Sequence, residues 1–404
     1  MTTAQKTIKI LSWFYGNLIY FITFIIPKRK NLWVFGSWFG EKYADNSKYL
    51  FEHICDNHPE IDAVWTSNNS RTVKMARHKG YKAYKSYGLK GTWYSMRARV
   101  GIFSHWTSDL NIFATSNMKL VNLWHGTPLK KISYDDEKHS PYDTRLREII
   151  YPFFPFLTRG ISGALITIPA PMMAKTFASA FRISEKSARL TGYARNDVFF
   201  KKEVEQFPIK EKILELRRKN KVGVYLPTHR KKGKFDITKI LSDNLDKINS
   251  DFVNDGIVLL VKFHYYDLLY LKKESFDYSN IIFLNDKDIN HDIYPLLAMS
   301  DFLLTDYSSV YFDYLLTDKP IVFTPFDYEQ YLSEEREFYY NYDEITPGPK
   351  AYSWDEVSEK IRGAFDDPEK YRERRREIRD RFNSFIDGAN CERIFDAVTE
   401  FISE

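Results

Sequence analysis

VNLWHGTPLKKI, residues 121–132, joins a run of apolar side chains to a polar loop that contains a single imidazole. The apolar run predicts a buried β-strand, and Gly126 and Pro128 predict that a loop follows it. His125 is the first ionisable group after the strand. Packing alone does not select this order of residues, so the stretch indicates a ligand-facing loop at a strand end.

Short apolar runs recur on both sides of that strand, with helical patterns between them. In the first half, NLWVF, IDAVWTS, ARVGIFSH and ALITIPA predict strands, ARLTGYARNDVFF predicts one more strand with its turn, and KYLFEHICDNHP predicts a helix. The alternation restarts beyond residues 201–207, where KVGVYL, IVLLVKF, NIIFLND, DFLLT and KPIVFTP predict strands. Strands that alternate with helices at short spacing are typical of parallel α/β sheets. The sequence therefore predicts two doubly wound α/β domains.

Length and composition agree with this prediction. A chain of 404 residues is too long for one ordinary core, and 44% hydrophobic with 28% charged residues is normal for a folded soluble protein. The net charge of +5 is too small to indicate nucleic acid as a partner. The two cysteines, Cys55 and Cys391, form no redox or zinc motif, so we expect a reducing, cytosolic environment.

The N-terminal segment, residues 1–30, is strongly apolar. Residues 10–26 carry no charge, and as a helix they would extend about 25 Å, short of a hydrocarbon core of roughly 30 Å. Three basic residues, 28–30, follow and suit an anionic cytoplasmic leaflet. We expect a membrane-associating helix that lies on the bilayer; a spanning anchor and a buried core helix are the alternatives.

Several polar clusters follow predicted strands, where parallel sheets bind ligands. In DYSSVYFDYLL, Ser308 and Ser309 would begin a helix over residues 310–316 and form an anion site with its first N–H groups. Asp306 or Asp313 could bind a ribose hydroxyl. A simple serine N-cap is the alternative.

Two further clusters carry positive charge. In PTHRKKGK, Arg230 could clamp a phosphate group, unless this is only a solvated basic loop. Lys262 and His264 share one face of a predicted strand, from which both could reach a diphosphate, although a lone histidine is often structural.

The loop after Trp124 offers a proton acceptor. A neutral imidazole with a pKa near 6.5 can take a proton from a hydroxyl group at neutral pH, so His125 is the candidate general base. Gly126 permits close approach of a ligand, Thr127 offers a hydroxyl group, and Lys130 and Lys131 add charge. The alternative is a histidine that only caps its own loop.

Several motifs are missing from the sequence. It has no GxxxxGK[ST] phosphate loop, no GxGxxG fingerprint, no HExxH and no GxSxG. Hydride transfer, ATP hydrolysis and zinc-dependent hydrolysis are therefore disfavoured, and we predict no metal and no cofactor.

Six stretches together resemble a known family. In chain order they are NLWHGTPLKKI, TGYARNDVFF, LPTHR, KFHYYD, SDFLLTDYSSVYFDYLLTDKPIVFTPFDYEQY and FYYNYDEITPGP. They resemble the CDP-glycerol glycerophosphotransferases, the teichoic acid primases and polymerases of Gram-positive cell walls. The similarity runs from about residue 31 to the C-terminus.

The resemblance implies a GT-B architecture, with two Rossmann-like domains that face a cleft. It implies four parts: a membrane-associating segment 1–30, an acceptor domain 31–203, a nucleotide-donor domain 204–370 and C-terminal helices 371–404 that cross back. It also implies transfer of glycerol phosphate from CDP-glycerol to a hydroxyl group of a lipid-linked acceptor, with release of CMP, at the cytoplasmic face of the membrane. The alternatives are a CDP-ribitol-using or capsule enzyme of the same family, a nucleotide-sugar glycosyltransferase and a catalytically inactive membrane adaptor.

The resemblance also suggests roles for individual residues. His125 would be the general base, and His264 would act near the donor phosphates. The expected donor-binding residues are Thr228, His229, Arg230, Lys262, Thr305, Asp306, Ser308, Ser309 and Asp313, and the expected acceptor-binding residues are Gly126, Thr127, Lys130 and Lys131.

Three positions depart from the family pattern. Ala194 stands where proline is common, His229 where an aromatic residue is common, and Tyr265 where proline is frequent. None of these changes removes a candidate catalytic group, so they bear on donor and acceptor subtype rather than on the reaction.

Overall fold

The fold is known from a computed structural model, which describes residues 3–137, 153–158, 161, 163–230, 241–263 and 278–404. The chain divides into two compact units. The first comprises residues 1–125, 133–197 and 387–404, and the second comprises residues 126–132 and 198–386. The predicted domain bounds at 203/204 and 370/371 stay predictions.

The first unit is built on a seven-stranded sheet in the order β3-β2-β1-β4-β5-β6-β7. All six strand pairs are parallel. The strands are β1 Arg29–Phe35, β2 Asp62–Ser67, β3 Ala83–Lys85, β4 Ala98–Phe103, β5 Lys119–Asn122, β6 Leu165–Ile168 and β7 Ala188–Leu190. The short β3 is the strand that the sequence patterns missed.

Helices surround this sheet. They are α1 Thr3–Ile25, α2 Asp45–Asn57, α3 Ser70–His78, α4 Leu89–Arg97, α5 Pro155–Thr158, α6 Met173–Phe181 and, near the C-terminus, α15 Asn390–Ser403. The order of strands reverses between β1 and β4. In parallel α/β sheets ligands bind outside the carboxyl ends of the strands at such a switch point, which directs attention to the loops after β1, β4 and β5.

The second unit has a five-stranded parallel sheet in the order β10-β9-β8-β11-β12. Its strands are β8 Lys221–Leu226, β9 Ile257–Val261, β10 Ile281–Phe283, β11 Phe302–Thr305 and β12 Ile321–Phe323. Its helices are α7 Lys210–Leu216, α8 Leu245–Asp255, α9 Tyr294–Met299, α10 Val310–Tyr314, α11 Tyr328–Glu334, α12 Tyr342–Ile345, α13 Trp354–Asp366 and α14 Arg372–Phe382.

The strands of the second sheet are covered on both faces. All five residues of β9 are buried, as expected for a parallel strand with an unbroken apolar sequence. Gly223 of β8 leaves room for its neighbour, because a Cβ atom there would lie 2.1 Å from the ring of Phe302 on β11. Here the order reverses between β8 and β11, which brings the loops after these two strands side by side. The predicted α/β class with parallel sheets is therefore confirmed.

Over residues 12–25, where the side chains are described, helix α1 packs with one face. A Cβ atom on Gly16 would lie 2.4 Å from the ring of Phe113, and Trp13 meets Phe154 at a centroid distance of 5.2 Å. Large apolar residues elsewhere on the helix are exposed, namely Phe14, Tyr15, Leu18, Phe21, Ile22, Phe24 and Ile25. Within the residues that the structure describes, no helix has both the length and the hydropathy needed to cross a membrane.

Candidate active site

The loop that carries His125 has an unusual backbone. Trp124 adopts φ 52° and Gly126 adopts φ 137°, and a left-handed conformation is costly for a non-glycine residue. Hydrogen bonds hold this geometry: the backbone N–H of Trp124 donates to Asn122 Oδ1 at 2.8 Å, and the side-chain amide of Asn46 donates to the Trp124 carbonyl at 2.8 Å. The loop therefore presents the imidazole in a defined orientation.

The orientation of His125 defines which of its nitrogens can accept a proton. Its Nδ1 lies 3.2 Å from the backbone carbonyl oxygen of Ser104. Since a carbonyl oxygen can only accept, Nδ1 carries the hydrogen, and Nε2 is left as the acceptor. Burial lowers the pKa of His125, with a smaller contribution from Arg195, while Asp45 and the bond to Ser104 act in the opposite direction. His125 is therefore neutral at pH 7 and able to accept a proton.

A second histidine lies against the first. The ring of His105 stacks on the ring of His125 with a centroid distance of 4.2 Å and an interplanar angle of 5°. His105 is buried, and Trp38 covers it at a centroid distance of 4.4 Å. Burial, followed by the neighbouring His125, holds the pKa of His105 well below its usual range. The stack is thus a pair of neutral imidazoles.

Two buried acids support this pair. Asp109 accepts hydrogen bonds from the backbone N–H groups of Phe39 at 2.6 Å, Ser104 at 3.0 Å and His105 at 2.8 Å, and thereby joins the loops after β1 and β4. Burial raises the pKa of Asp109 to about 7 despite these bonds.

Asp45 is paired with Arg195 at 2.7 Å, and both side chains are buried. Burial alone would raise the pKa of Asp45, but the positive charge of Arg195 makes the net shift a lowering. Sequence reasoning gave no role to either residue, or to His105 and Asp109. His105 could have been found, because it follows a predicted strand at the same sheet edge as His125.

In the second unit, the switch point between β8 and β11 is filled by an ion-pair network. Arg230 donates from Nη2 to Asp306 at 2.7 Å, and from Nε and Nη2 to the two carboxylate oxygens of Asp327 at 2.8 and 3.0 Å. Asp306 also accepts the backbone N–H of Thr228 at 2.8 Å. All three charged side chains are buried. The guanidinium group that the sequence suggested as a phosphate clamp is thus bound to two carboxylates of its own unit.

Aromatic rings enclose this network. The Arg230 guanidinium carbon lies 4.9 Å from the ring centroid of Tyr307 and 4.8 Å from that of Tyr331. The hydroxyl of Tyr307 donates to Asp327 at 3.0 Å, and that of Tyr342 donates to the backbone carbonyl of Asp306 at 3.0 Å. Asp327 and Tyr331 received no individual role from the sequence, although both lie in the FTPFDYEQY stretch that carried the family resemblance.

The other predicted donor-binding residues have varied environments. Thr305 donates to the Leu226 carbonyl at 2.7 Å, Lys262 pairs with Asp286 at 3.0 Å, and the buried Asp313 accepts from the hydroxyl of Tyr294 at 2.7 Å. Ser308 and Ser309 are half-buried before α10, where Ser309 makes no side-chain capping bond, and His229 is exposed. His264 lies outside the described residues, as do the three lysines of the PTHRKKGK stretch that could add positive charge, Lys231, Lys232 and Lys234.

The stretch after His125 belongs to the second unit, which sequence reasoning did not foresee. Residues 126–132, with Gly126, Thr127, Lys130 and Lys131, are grouped there. Lys130 forms an antiparallel bridge with Phe338, and the side chain of Lys131 pairs with Glu337 at 2.5 Å. Burial lowers the pKa of Lys130 to about 8, while Asp306 acts in the opposite direction. Lys130 therefore contributes charge beside the Arg230 network.

Comparisons with known proteins show the family and the fold of this chain. The family model described as CDP-Glycerol:Poly(glycerophosphate) glycerophosphotransferase matches residues 18–400. A teichoic acid poly(glycerol phosphate) polymerase of Bacillus spizizenii is 29% identical over 85% of this chain and 86% of its own length. A polymerase of the same name from Bacillus subtilis is 28% identical over 88% of this chain, which spans only 46% of that protein.

Two further similarities extend over nearly the whole chain. A teichoic acid ribitol-phosphate primase of Bacillus spizizenii is 25% identical over 98% of this chain and 97% of its own length. The solved structure of the wall teichoic acid polymerase TagF has the same fold, with a TM-score of 0.76 and 24% identity over 99% of this chain and 97% of that one.

Proposed function

Since this chain belongs to the CDP-glycerol:poly(glycerophosphate) glycerophosphotransferase family, we propose that it transfers glycerol phosphate from CDP-glycerol to a hydroxyl group of a lipid-linked acceptor. CMP is the second product, and the reaction serves the synthesis of wall teichoic acid or a related polymer. The family prediction made from the sequence is thereby confirmed. The finer architecture that the resemblance implies, with two domains facing one cleft, remains part of this proposal.

The observation that carries the proposed mechanism is the bond between His125 Nδ1 and the Ser104 carbonyl. It leaves Nε2 as the general base. An acceptor hydroxyl oxygen attacks the phosphorus next to glycerol, a new O–P bond forms, and the bond from phosphorus to the CMP oxygen breaks. The hydroxyl proton passes to His125 Nε2, and CMP leaves with the bonding electron pair. Such a positioned base contributes typically 10²- to 10⁴-fold to the rate.

The second unit supplies the groups that we assign to the donor. In this proposal, the predicted donor-binding residues other than Arg230 and its partner Asp306 hold the nucleotide and its diphosphate, and Lys130 adds a positive charge beside them. Arg230 acts through its carboxylate partners Asp306 and Asp327, by fixing the loops after β8 and β11 rather than by gripping phosphate directly. Electrostatic stabilisation by preorganised donors is worth about 3 kcal/mol for one well-placed group.

We also propose that α1 lies on the cytoplasmic surface of the membrane, where its exposed apolar face would reach a lipid-linked acceptor. A patch of this kind marks a membrane or protein interaction site. Two of the three basic residues after the helix have partners in the fold: Lys28 donates to the Met96 carbonyl at 2.8 Å, and Arg29 pairs with Asp62 at 3.0 Å. The apolar face therefore carries this part of the proposal.

Mass spectrometry of the product tests the reaction. The full chain is incubated with a defined lipid-acceptor analogue and CDP-glycerol, and CMP release is measured in parallel. We expect an acceptor that gains one or more glycerol phosphate units, and a loss of about 10²-fold or more in rate for His125→Ala. His78→Ala, on the exposed end of α3, is the matched control. Full activity of a folded His125→Ala variant would refute the assignment of the base.

A ribitol donor is the second candidate, because one relative that covers nearly the whole chain is a ribitol-phosphate primase. Offering CDP-glycerol and CDP-ribitol together distinguishes the two by product mass. Incorporation of ribitol phosphate alone would replace the glycerol assignment without changing the mechanism.

A further inference from the structure

A cluster of two histidines and one glutamate lies in the first unit, and the proposed reaction does not use it. His53 is on α2, His58 directly follows the end of that helix, and Glu392 is in the first turn of α15. The Nε2 atoms of His53 and His58 lie 2.9 and 3.2 Å from the same carboxylate oxygen, Oε2 of Glu392. The three atoms all lie within 4.8 Å of one another.

The other ring nitrogens of these histidines face away from the shared point. His58 Nδ1 lies 3.2 Å from a carboxylate oxygen of Glu60, and the His58 ring stacks on Phe395 at a centroid distance of 3.6 Å. The side-chain nitrogen of Asn57 lies 3.3 Å from His53 Nδ1, and because an amide nitrogen can only donate, His53 Nδ1 accepts in this contact. A metal-bound histidine characteristically donates its second N–H to a carboxylate, and of the two histidines it is His58, beside Glu60, that fits this pattern.

We propose that His53, His58 and Glu392 bind a divalent transition metal ion of the zinc class. Imidazole nitrogen and carboxylate oxygen are preferred zinc ligands, and three protein ligands with one water molecule complete a tetrahedral site. Spacing in the sequence could not reveal this set, since His58 and Glu392 are 334 residues apart.

Such an ion would act on the fold rather than on the reaction. Both α2 and α15 belong to the first unit, and the ion would join the C-terminal helix to the helix that follows β1. Binding to the folded chain alone stabilises it by mass action.

Zinc titration of the full chain tests the proposal. The protein is prepared without a polyhistidine tag, treated with a chelator and dialysed. Zn²⁺ binding is then measured by isothermal titration calorimetry in the presence of a competing chelator. We expect one tight site in the wild type and in the control His78→Gln. The double variant His53→Gln/His58→Gln should lose more than about 100-fold in affinity, since loss of even a second-shell partner costs roughly 10- to 100-fold. Equal affinity in the wild type and the folded double variant would overturn the proposal.

A second set of measurements tests the site even if the double variant does not fold. X-ray absorption of the zinc-loaded wild type should show two imidazole ligands with oxygen ligands, and Glu392→Gln should weaken binding with an unchanged circular dichroism spectrum. One imidazole or none around zinc would contradict the assignment, whatever the catalytic activity. Failure here would leave the proposed transferase function untouched, because CMP release does not depend on this cluster.

Discussion

The imidazole rings of His105 and His125 lie face to face, 4.2 Å apart between centroids and 5° apart in their planes. Both rings are neutral at pH 7, and only His125 has its Nδ1 fixed by a carbonyl oxygen, that of Ser104. His105 thus excludes water from one face of the candidate base. We regard it as a positioning residue, since it acts through His125.

The stack predicts the acid limb of the pH–rate profile. Because burial lowers the pKa of His125, we expect kcat/KM to fall with an apparent pKa below the ordinary value of about 6.5. His105→Ala lets water reach His125, so its pKa should rise and the fall in kcat/KM should occur at higher pH. His105→Phe keeps an aromatic ring over His125, so its pH–rate profile should stay near that of the wild type. An acid limb that His105→Ala leaves unmoved would show that the stack does not set this pKa.

The same histidines predict how stability depends on pH. Their pKa values in the folded chain are lowered, so below about pH 6.5 the unfolded chain binds more protons than the folded one. The contribution of these two histidines to the free energy of unfolding should therefore fall as the pH decreases from about 6.5 through the folded values, whereas Asp109, whose pKa is raised to about 7 by burial, acts in the opposite direction. In urea unfolding measured between pH 7.5 and about pH 5, His105→Phe should lose less stability than the wild type. Identical slopes would contradict this linkage.

Replacing Arg230 should lower the free energy of unfolding by a large amount. Arg230→Met leaves two buried carboxylates, Asp306 and Asp327, without their cation, and breaking a buried ion pair costs about 3–5 kcal/mol. The control Lys131→Met breaks the exposed pair with Glu337 and should cost about 0–1 kcal/mol. Urea unfolding followed by circular dichroism compares the two variants. A loss below about 1 kcal/mol for Arg230→Met would show that the network is not needed for folding.

The lowered pKa of Lys130 predicts that binding of the donor weakens at alkaline pH. Its pKa is lowered to about 8, so its positive charge disappears as the pH rises through that value. An anionic donor should then bind more weakly, and the KM for CDP-glycerol should rise between pH 7 and about pH 9. Lys130→Met should raise the KM at pH 7 and abolish the further rise, whereas Lys131→Met should behave as the wild type. A rise that persists in Lys130→Met would assign the effect to another group.

The exposed face of α1 predicts membrane binding. Phe21 and Phe24 are 62% and 63% exposed, and placing a charge on each should weaken binding to the bilayer interface. In flotation with vesicles that contain an anionic lipid, we expect Phe21→Glu/Phe24→Glu to float far less than the wild type. Tyr352→Glu, an exposed aromatic position in the second unit, is the control. Equal flotation of all three proteins would exclude this face as the contact.

The candidate site could be predicted from the sequence where the chemistry is local. His125 and Asp306 each follow an apolar strand directly, and a parallel sheet places such residues at its carboxyl edge whatever the loops do. The distant residues that pair with the site side chains could not be predicted. Asp327 meets Arg230 from 97 residues away, and only the strand order β8-β11-β12 brings their loops together.

The α/β class, the two repeated series of strands and the family could be inferred from the sequence, because apolar periodicity and contiguous motifs are properties of neighbouring residues. The unit that holds Lys130, the contacts of Arg230 with carboxylates and the stacking of His105 on His125 became visible only in the folded chain. The same is true of the approach of Glu392 to His53 and His58. Ion pairs, ring stacks and clusters of this kind depend on the path of the loops and the order of the strands, and no local pattern encodes either of these.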